Sequence, residues 1–151
     1  MFLIINLTNL KKLYIASDHA GFTLKEFVKK KLSKKIKFDD QGPHSDEISV
    51  NYPDFAHKLC KKVSKNSSNM GILICGSGFG VSIAANRHKH IRAIVGRSVK
   101  DVRMSRKHND TNVLCIGADF TGTWQAKRLI RAFFNTEFEG GRHSKRIQKI
   151  S

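Results

Sequence analysis

The sequence predicts a three-layer α/β/α fold on a doubly wound sheet of five parallel strands, in a single domain with a C-terminal helix. Short apolar runs alternate with longer segments whose apolar residues recur three and four positions apart. Three of the runs are almost wholly apolar, as strands covered on both faces of a parallel sheet must be. A chain of 151 residues is long enough for one such core and too short for two.

Residues 1–10, MFLIINLTNL, are apolar, have no basic residue ahead of them and run straight into KKLYIASDHAG. They read as an N-terminal extension outside the core and not as a signal peptide, which leaves 11–151 as the domain. The first strand is Leu13–Ser17, and the helix after it, Gly21–Ser33, carries Phe22, Phe27 and Val28 on one face. A second strand, Ile36–Asp40, precedes the helix Pro53–Lys65, where Phe55, Leu59 and Val63 point one way and Pro53 suits the first turn. Asn66, Ser67, Ser68 and Asn69 form a turn before the third strand, Gly71–Cys75. The pattern then repeats as helix Gly80–His88, strand Ile91–Val95, helix Ser98–His108, strand Val113–Ile116 and helix Thr121–Phe134, with a basic helical tail over 140–151. No run reaches the roughly 18 apolar residues of a membrane span.

Lys and Arg total 28 against 12 Asp and Glu, a formal charge of +16, which draws anions from about a Debye length away. Phosphorylated metabolites or nucleic acid are the partners this favours. Most of the excess is Lys, and Lys25, Lys29, Lys30, Lys31, Lys34 and Lys35 read as a solvated helix face. Cys60, Cys75 and Cys115 match no zinc spacing, and an odd number without secretory context argues for free thiols in a reducing, cytoplasmic setting. The seven histidines are scattered, so neither a metal nor a cofactor is expected.

Open parallel sheets bind ligands just beyond the carboxyl ends of their strands. A census there collects Asp18, His19, Cys75, Gly76, Ser77, Gly78 and Gly80. In GILICGSGFG a cysteine ends a strand and three glycines follow, so the turn can take positive φ and present main-chain N–H groups to an anion. A helix starting at about Gly80 would add its positive end and lower the Cys75 thiol pKa. Taken alone, Cys75 reads more readily as a buried structural cysteine than as a catalytic one.

Asp18 accepts from sugar hydroxyls, or else Ser17 or Asp18 caps the following helix. His108, in SRKHNDTN, is a candidate proton carrier or a structural histidine. Arg142 and Arg146 lie four apart on one helical face, as a grip for a phosphate dianion or as a solvated tail.

In this order, SDHAGF, NYPDFA, GILICGSGFGVSIAANR, HIRA, SRKHNDTNVL and EGGRHSKR resemble the ribose-5-phosphate isomerase B family over roughly residues 12–148. The resemblance implies a Rossmann-like sheet and a metal-free aldose–ketose isomerase of the non-oxidative pentose phosphate pathway, converting ribose 5-phosphate to ribulose 5-phosphate through an enediolate. It implies Cys75 as the base, His108 as the ring-opening acid–base group and Ser77 as a third catalytic residue, its hydroxyl standing where Thr is frequent. Asp18 would hold ring hydroxyls, and the amides of Gly76, Ser77, Gly78, Phe79 and Gly80 would hold the enediolate. His19, Arg142 and Arg146 would hold the phosphate, Asn109 would assist, and Tyr52 would line the pocket.

Such enzymes pair as homodimers, some as tetramers, with the active site at the subunit boundary, without membrane or specific nucleic-acid partners. Asp119 stands where many relatives have Arg, with Arg103 and Arg106 as compensators. Galactose-6-phosphate isomerase subunits, which lack the histidine of HNDTN, and allose-6-phosphate isomerases are the neighbouring activities. From another class, a basic nucleic-acid-binding module would account for the charge, yet 13 aromatics and no binding motif leave the glycine loop without a purpose.

Overall fold

The computed structural model describes residues 12–150; the expected extension over 1–10 lies outside the described residues. The chain runs β1 (Leu13–Ser17), α1 (Phe22–Leu32), β2 (Phe38–Asp40), α2 (Tyr52–Val63), β3 (Met70–Cys75), α3 (Phe79–Ala85), β4 (Ala93–Val95), α4 (Val99–Asn109), β5 (Val113–Gly117), α5 (Thr123–Asn135) and α6 (Arg142–Gln148). All five strands are parallel, in the order β2-β1-β3-β5-β4.

Period-two alternation sorts the central strands onto two faces. Leu13, Ile15, Ile72, Ile74, Leu114 and Ile116 pack with α1, α4 and α5, whereas Tyr14, Ala16, Leu73, Cys75, Val113 and Cys115 pack with α2 and α3. Because β1 connects outward to β2 and the chain then crosses back to β3, the winding reverses between β1 and β3. In open parallel sheets the carboxyl edge at such a reversal is where ligands bind.

Among the boundaries that differ from expectation, three have a clear local reason. β2 begins at Phe38 because the amides of Lys35 and Ile36 still bond to Leu32 O, so the chain is completing a turn there. β4 begins at Ala93 because Asn112 Oδ1 accepts from the Arg92 amide. α3 stops at Ala85 because the Asn86 side chain bonds both the amide and the carbonyl of Ala93, and the Arg87 and His88 amides tighten onto Ala84 and Ala85. α4 starts as its sequence directs, with Ser98 and Asp101 forming a reciprocal capping box.

The lysine-rich stretch is not uniformly a solvated face: Lys25 is fully buried. Its ammonium donates to Asp40 Oδ1 at 2.9 Å and to the carbonyl of Pro43, and Lys29 Nζ reaches Asp40 Oδ2 at 2.6 Å. Burial pushes the Lys25 ammonium pKa down, and its pairing with Asp40 offsets only part of that. Burial pushes the Asp40 carboxyl up, but hydrogen bonds from Lys25, Lys29 and the Gly42 amide outweigh it and hold it below the ordinary carboxylate value.

This cluster ties the β2 exit to α1, and it breaks badly if one partner is lost. Asp40→Asn, measured by urea unfolding, is expected to cost about 3–5 kcal/mol because it strands a buried ammonium. A carboxyl with a depressed folded pKa contributes stability above its unfolded pKa and loses it as pH falls through the folded value. The wild type should therefore lose stability on acidification below about pH 4 more steeply than Asp40→Asn.

Candidate active site

Two loops bring some of the sequence candidates together at the carboxyl edge of β1 and β3. After β1, the Asp18 amide bonds to Ile74 O, the residue before Cys75, so the β1 and β3 exits are joined. Asp18 is buried, and its Oδ1 accepts from the Gly21 amide at 2.9 Å, so it does serve as a local cap. Its second oxygen has no described donor. His19 Nδ1 accepts from the Val50 amide at 3.1 Å, which leaves Nε2 as the donor of the neutral ring. Gly21 is required here because a Cβ would meet Ile74 O.

After β3, Cys75 ends the strand with 4% of its surface exposed, and its Sγ accepts from the Gly78 amide at 3.1 Å. Gly78 can make that bond because its φ is +82°, a conformation that puts its amide back over the sulfur. Ser77 Oγ accepts from the Phe79 amide at 3.2 Å. The loop is held from the neighbouring strand by Ala118 N to Cys75 O at 2.8 Å and Asp119 N to Gly76 O at 2.9 Å. Tyr52 packs flat enough on Gly80 that a Cβ there would lie 2.5 Å from Cζ. α3 has only seven residues, so the donors around the sulfur belong to the turn more than to a long helix.

The three thiols are not equivalent. Burial pushes Cys60 up to about 12 and Cys115 well above the ordinary thiol value, and both sit within the core with no exposed surface. Cys75 alone among them stands at a strand end with a main-chain N–H on its sulfur.

His108, Asn109, Arg142 and Arg146 are elsewhere in the chain. The sheet register pairs Gly71 with Val113 and Cys75 with Gly117, so Cys75 lies at the carboxyl edge. α4 runs back from that edge and ends at Asn109, just before β5 begins, which puts His108 at the amino edge about 13 Å away along the strands. Arg92 Nε fixes this end by donating to the carbonyls of Asn109 and Asp110. α6 joins the same end, with the Glu139 amide bonded to Lys107 O, and it carries Arg142 and Arg146, both exposed. Within one chain the candidate residues therefore fall at opposite edges of the sheet, Cys75 at the carboxyl edge and His108 at the amino edge.

The amino-edge half contains residues that the sequence did not single out. His143, buried, stacks on His108 with ring centroids 4.4 Å apart and planes 14° from parallel. Glu139 lies four residues before it, with Oε2 3.8 Å from His143 Nε2. Burial, His108, Arg142 and Arg146 together hold the His143 ring below its ordinary pKa, so it is neutral at pH 7. The Glu139-x3-His143 spacing was the available signal, but the contact between His108 and His143 spans 35 positions and has no local trace.

The ligand atoms of His108, Glu139 and His143 lie within 4.8 Å of one another, so these residues could hold a metal ion. Nearly parallel rings aim their in-plane lone pairs side by side, however, and Lys107, Arg142 and Arg146 crowd the same end with positive charge.

Of the two suggested compensators for Asp119, Arg106 is engaged, its Nη1 at 2.8 Å from Asp110 Oδ1 and its Nε donating to Thr136 O. Arg103 is exposed on α4, and nothing described brings it to the loop.

Thiol labelling tests the distinction among the cysteines. Brief treatment of the folded protein with iodoacetamide at pH 8, followed by peptide mass mapping, is expected to modify Cys75 well ahead of Cys60 and Cys115. Equal modification of all three in the folded state would contradict it.

The sequence model described as Ribose/Galactose Isomerase matches residues 13–150. The Escherichia coli K12 protein named ribose-5-phosphate isomerase B is 39% identical over 143 residues, covering 94% of this chain and 95% of that one. The solved structure of ribose 5-phosphate isomerase B from Anaplasma phagocytophilum superposes with a TM-score of 0.89 at 41% identity, covering 95% of this chain and 98% of the other. The Mycoplasma genitalium enzyme, solved with bound ribulose 5-phosphate, gives a TM-score of 0.88 at 41% identity, over 92% and 93% of the two chains. With its fold, loops and sequence in agreement with theirs, this chain belongs to the ribose/galactose isomerase family.

Proposed function

We propose that the protein interconverts ribose 5-phosphate and ribulose 5-phosphate by proton transfer through an enediolate, as a cytoplasmic homodimer whose active sites each draw on both chains. The observation that carries this reading is the Cys75 sulfur, hydrogen-bonded by the Gly78 amide in a glycine turn beside the buried Asp18 carboxylate. A main-chain donor on sulfur strengthens as the sulfur gains charge, which suits a thiolate base.

Asp18 holds a ring hydroxyl with its free oxygen, and His108 opens the furanose by moving a proton between the ring oxygen and O1. In the open chain the Cys75 thiolate takes the proton from C2. The C–H electron pair forms the C1–C2 double bond, and the carbonyl π pair goes to O1 as the oxyanion. The loop amides of Ser77 and Gly80, with the Ser77 hydroxyl, meet that charge, the kind of preorganised stabilisation that dominates in many sites. A proton passes from the O2 hydroxyl to O1, the O2 lone pair forms the C2 carbonyl, and the C1–C2 π pair takes the proton back from the thiol at C1, which leaves the ketose. His19 Nε2 donates to the phosphate from the same chain as the thiol, while Arg142, Arg146, Asn109 and His108 come from the partner. Remote phosphate binding orients the reacting carbons.

The requirement for a second copy follows from distance. No rotamer of His108 reaches across a sheet width to the sulfur of its own chain, whereas a two-fold pairing that sets the amino edge of one chain against the carboxyl edge of the other makes two complete sites. The exposed Tyr52, Phe79, Ile83 and Met104 supply an apolar surface for such a contact.

Complementation checks the activity and the sharing together. Cys75→Ala and His108→Ala homodimers are each expected to lose at least about a hundredfold in kcat on cyclic ribose 5-phosphate. Mixing them at equal concentration and allowing exchange should restore about a quarter of wild-type activity, because half the dimers are mixed and each holds one intact site. A mixture no more active than its parts would contradict a shared site. Wild-type protein inactive on this sugar would contradict the assignment itself.

A further inference from the structure

Beyond β4 the chain leaves the sheet against the glycine turn: Val95 Cγ1 lies 3.2 Å from where a Cβ on Gly78 would sit. Two residues on, Arg97 lays its guanidinium over two aromatic rings, with Cζ 5.1 Å from the Phe79 centroid and 5.2 Å from that of Phe120. Phe79 belongs to the turn that follows Cys75, and Phe120 follows Asp119 on the β5 exit. The Asp119 amide already clamps those two loops together at Gly76 O. The Arg97 carbonyl accepts from Gln125 Nε2 at 3.3 Å, which fixes its backbone to α5.

Among the described residues, no carboxylate lies within ion-pair distance of the Arg97 guanidinium and no carbonyl accepts from it. A guanidinium held by its faces keeps its five in-plane N–H donors available. The rings also limit its rotamers in advance, which lowers the entropy lost on gripping an anion.

The Asp119 carboxylate stands on the same rim, with Oδ2 3.0 Å from the position of a Gly76 Cβ. An acid leaning over the turn repels an incoming phosphate dianion unless a cation answers it. Arg106 is held by Asp110 and Thr136, which leaves Arg97 as the arginine seated on the rim.

We propose that Arg97 is a specificity-determining residue of this isomerase: an aromatic-braced, anion-binding arm on the rim of the thiol loop that contacts the sugar phosphate and offsets Asp119. The proposal rests on the isomerase reading above and adds to it a contact made by the thiol-bearing chain itself. The ligand chemistry is a phosphate monoester, and the rings are positioning groups that hold the cation.

The test combines kinetics with binding of inorganic phosphate, on the intact dimer. Arg97 is exposed, so its variants should fold; circular dichroism and thermal melting check this. Arg97→Gln is expected to raise KM for ribose 5-phosphate about tenfold with kcat within about twofold, and to raise the inhibition constant of inorganic phosphate by a similar factor. Arg97→Lys, which keeps the charge without the planar fork, should fall between. Phe120→Leu should weaken phosphate inhibition severalfold and Phe120→Tyr should restore it, because only the aromatic face is needed. Unchanged KM and phosphate inhibition in Arg97→Gln, or a loss confined to kcat, overturns the proposal. If the wild type lacks activity on ribose 5-phosphate, the isomerase reading fails instead, and phosphate binding followed by 31P line broadening still decides the role of Arg97.

Discussion

The constraint on which the rest depends is the parallel register between β3 and β5. Pairing Gly71 with Val113 and Cys75 with Gly117 sets the two ends of the sheet a strand length apart. Every strand then delivers its exit loop to one edge and every returning helix delivers its C-terminus to the other. Asp18, His19, Cys75 and the glycine turn gather on the carboxyl edge by this geometry, and His108, Arg142 and Arg146 gather on the amino edge. On the proposed reading, association of two chains converts two incomplete halves into complete sites, so assembly and chemistry are one requirement.

Close backbone approach at the carboxyl edge is what makes the thiol loop a defined object. Gly117 ends β5 because a Cβ there would meet Ser77 O, and Gly78 faces Gly117 N at 3.0 Å from its would-be Cβ. These glycines let β3 and β5 exits interlock through the Ala118 and Asp119 amides. A loop held at both ends by a central sheet keeps its N–H groups oriented before substrate arrives, which is the condition under which such donors matter most. Tyr52 closes the far side by lying on Gly80, tying α2 to the start of α3. The buried Lys25–Asp40 pair does comparable work one strand away, anchoring the segment that leads toward Val50 and thus to His19.

Much of this was legible in the sequence where the governing interaction is local. The five strands follow from apolar runs, and β1 agrees residue for residue because Leu13–Ser17 is buried on both faces. The glycine turn was legible because three glycines after a strand end permit positive φ and close approach, and Gly78 takes φ +82°. Three things were not. Lys25 reads as one more surface lysine until β2 brings Asp40 and Pro43 O over it from 15 and more residues away. The separation of Cys75 from His108 depends on strand direction and register, which no motif encodes. The pairing of His143 with His108, and of Arg97 with Phe120, joins residues distant in sequence, and aromatic contacts of that kind leave no periodic trace.

The claim that one chain cannot complete a site is open to direct measurement by dilution. Specific activity on ribose 5-phosphate, followed from micromolar to subnanomolar protein, would be compared with the dimer fraction obtained from fluorescence-detected sedimentation over the same range. The account predicts that activity per chain falls in step with the dimer fraction and that the folded monomer is inactive. A monomer that is folded, dissociated and fully active would contradict it.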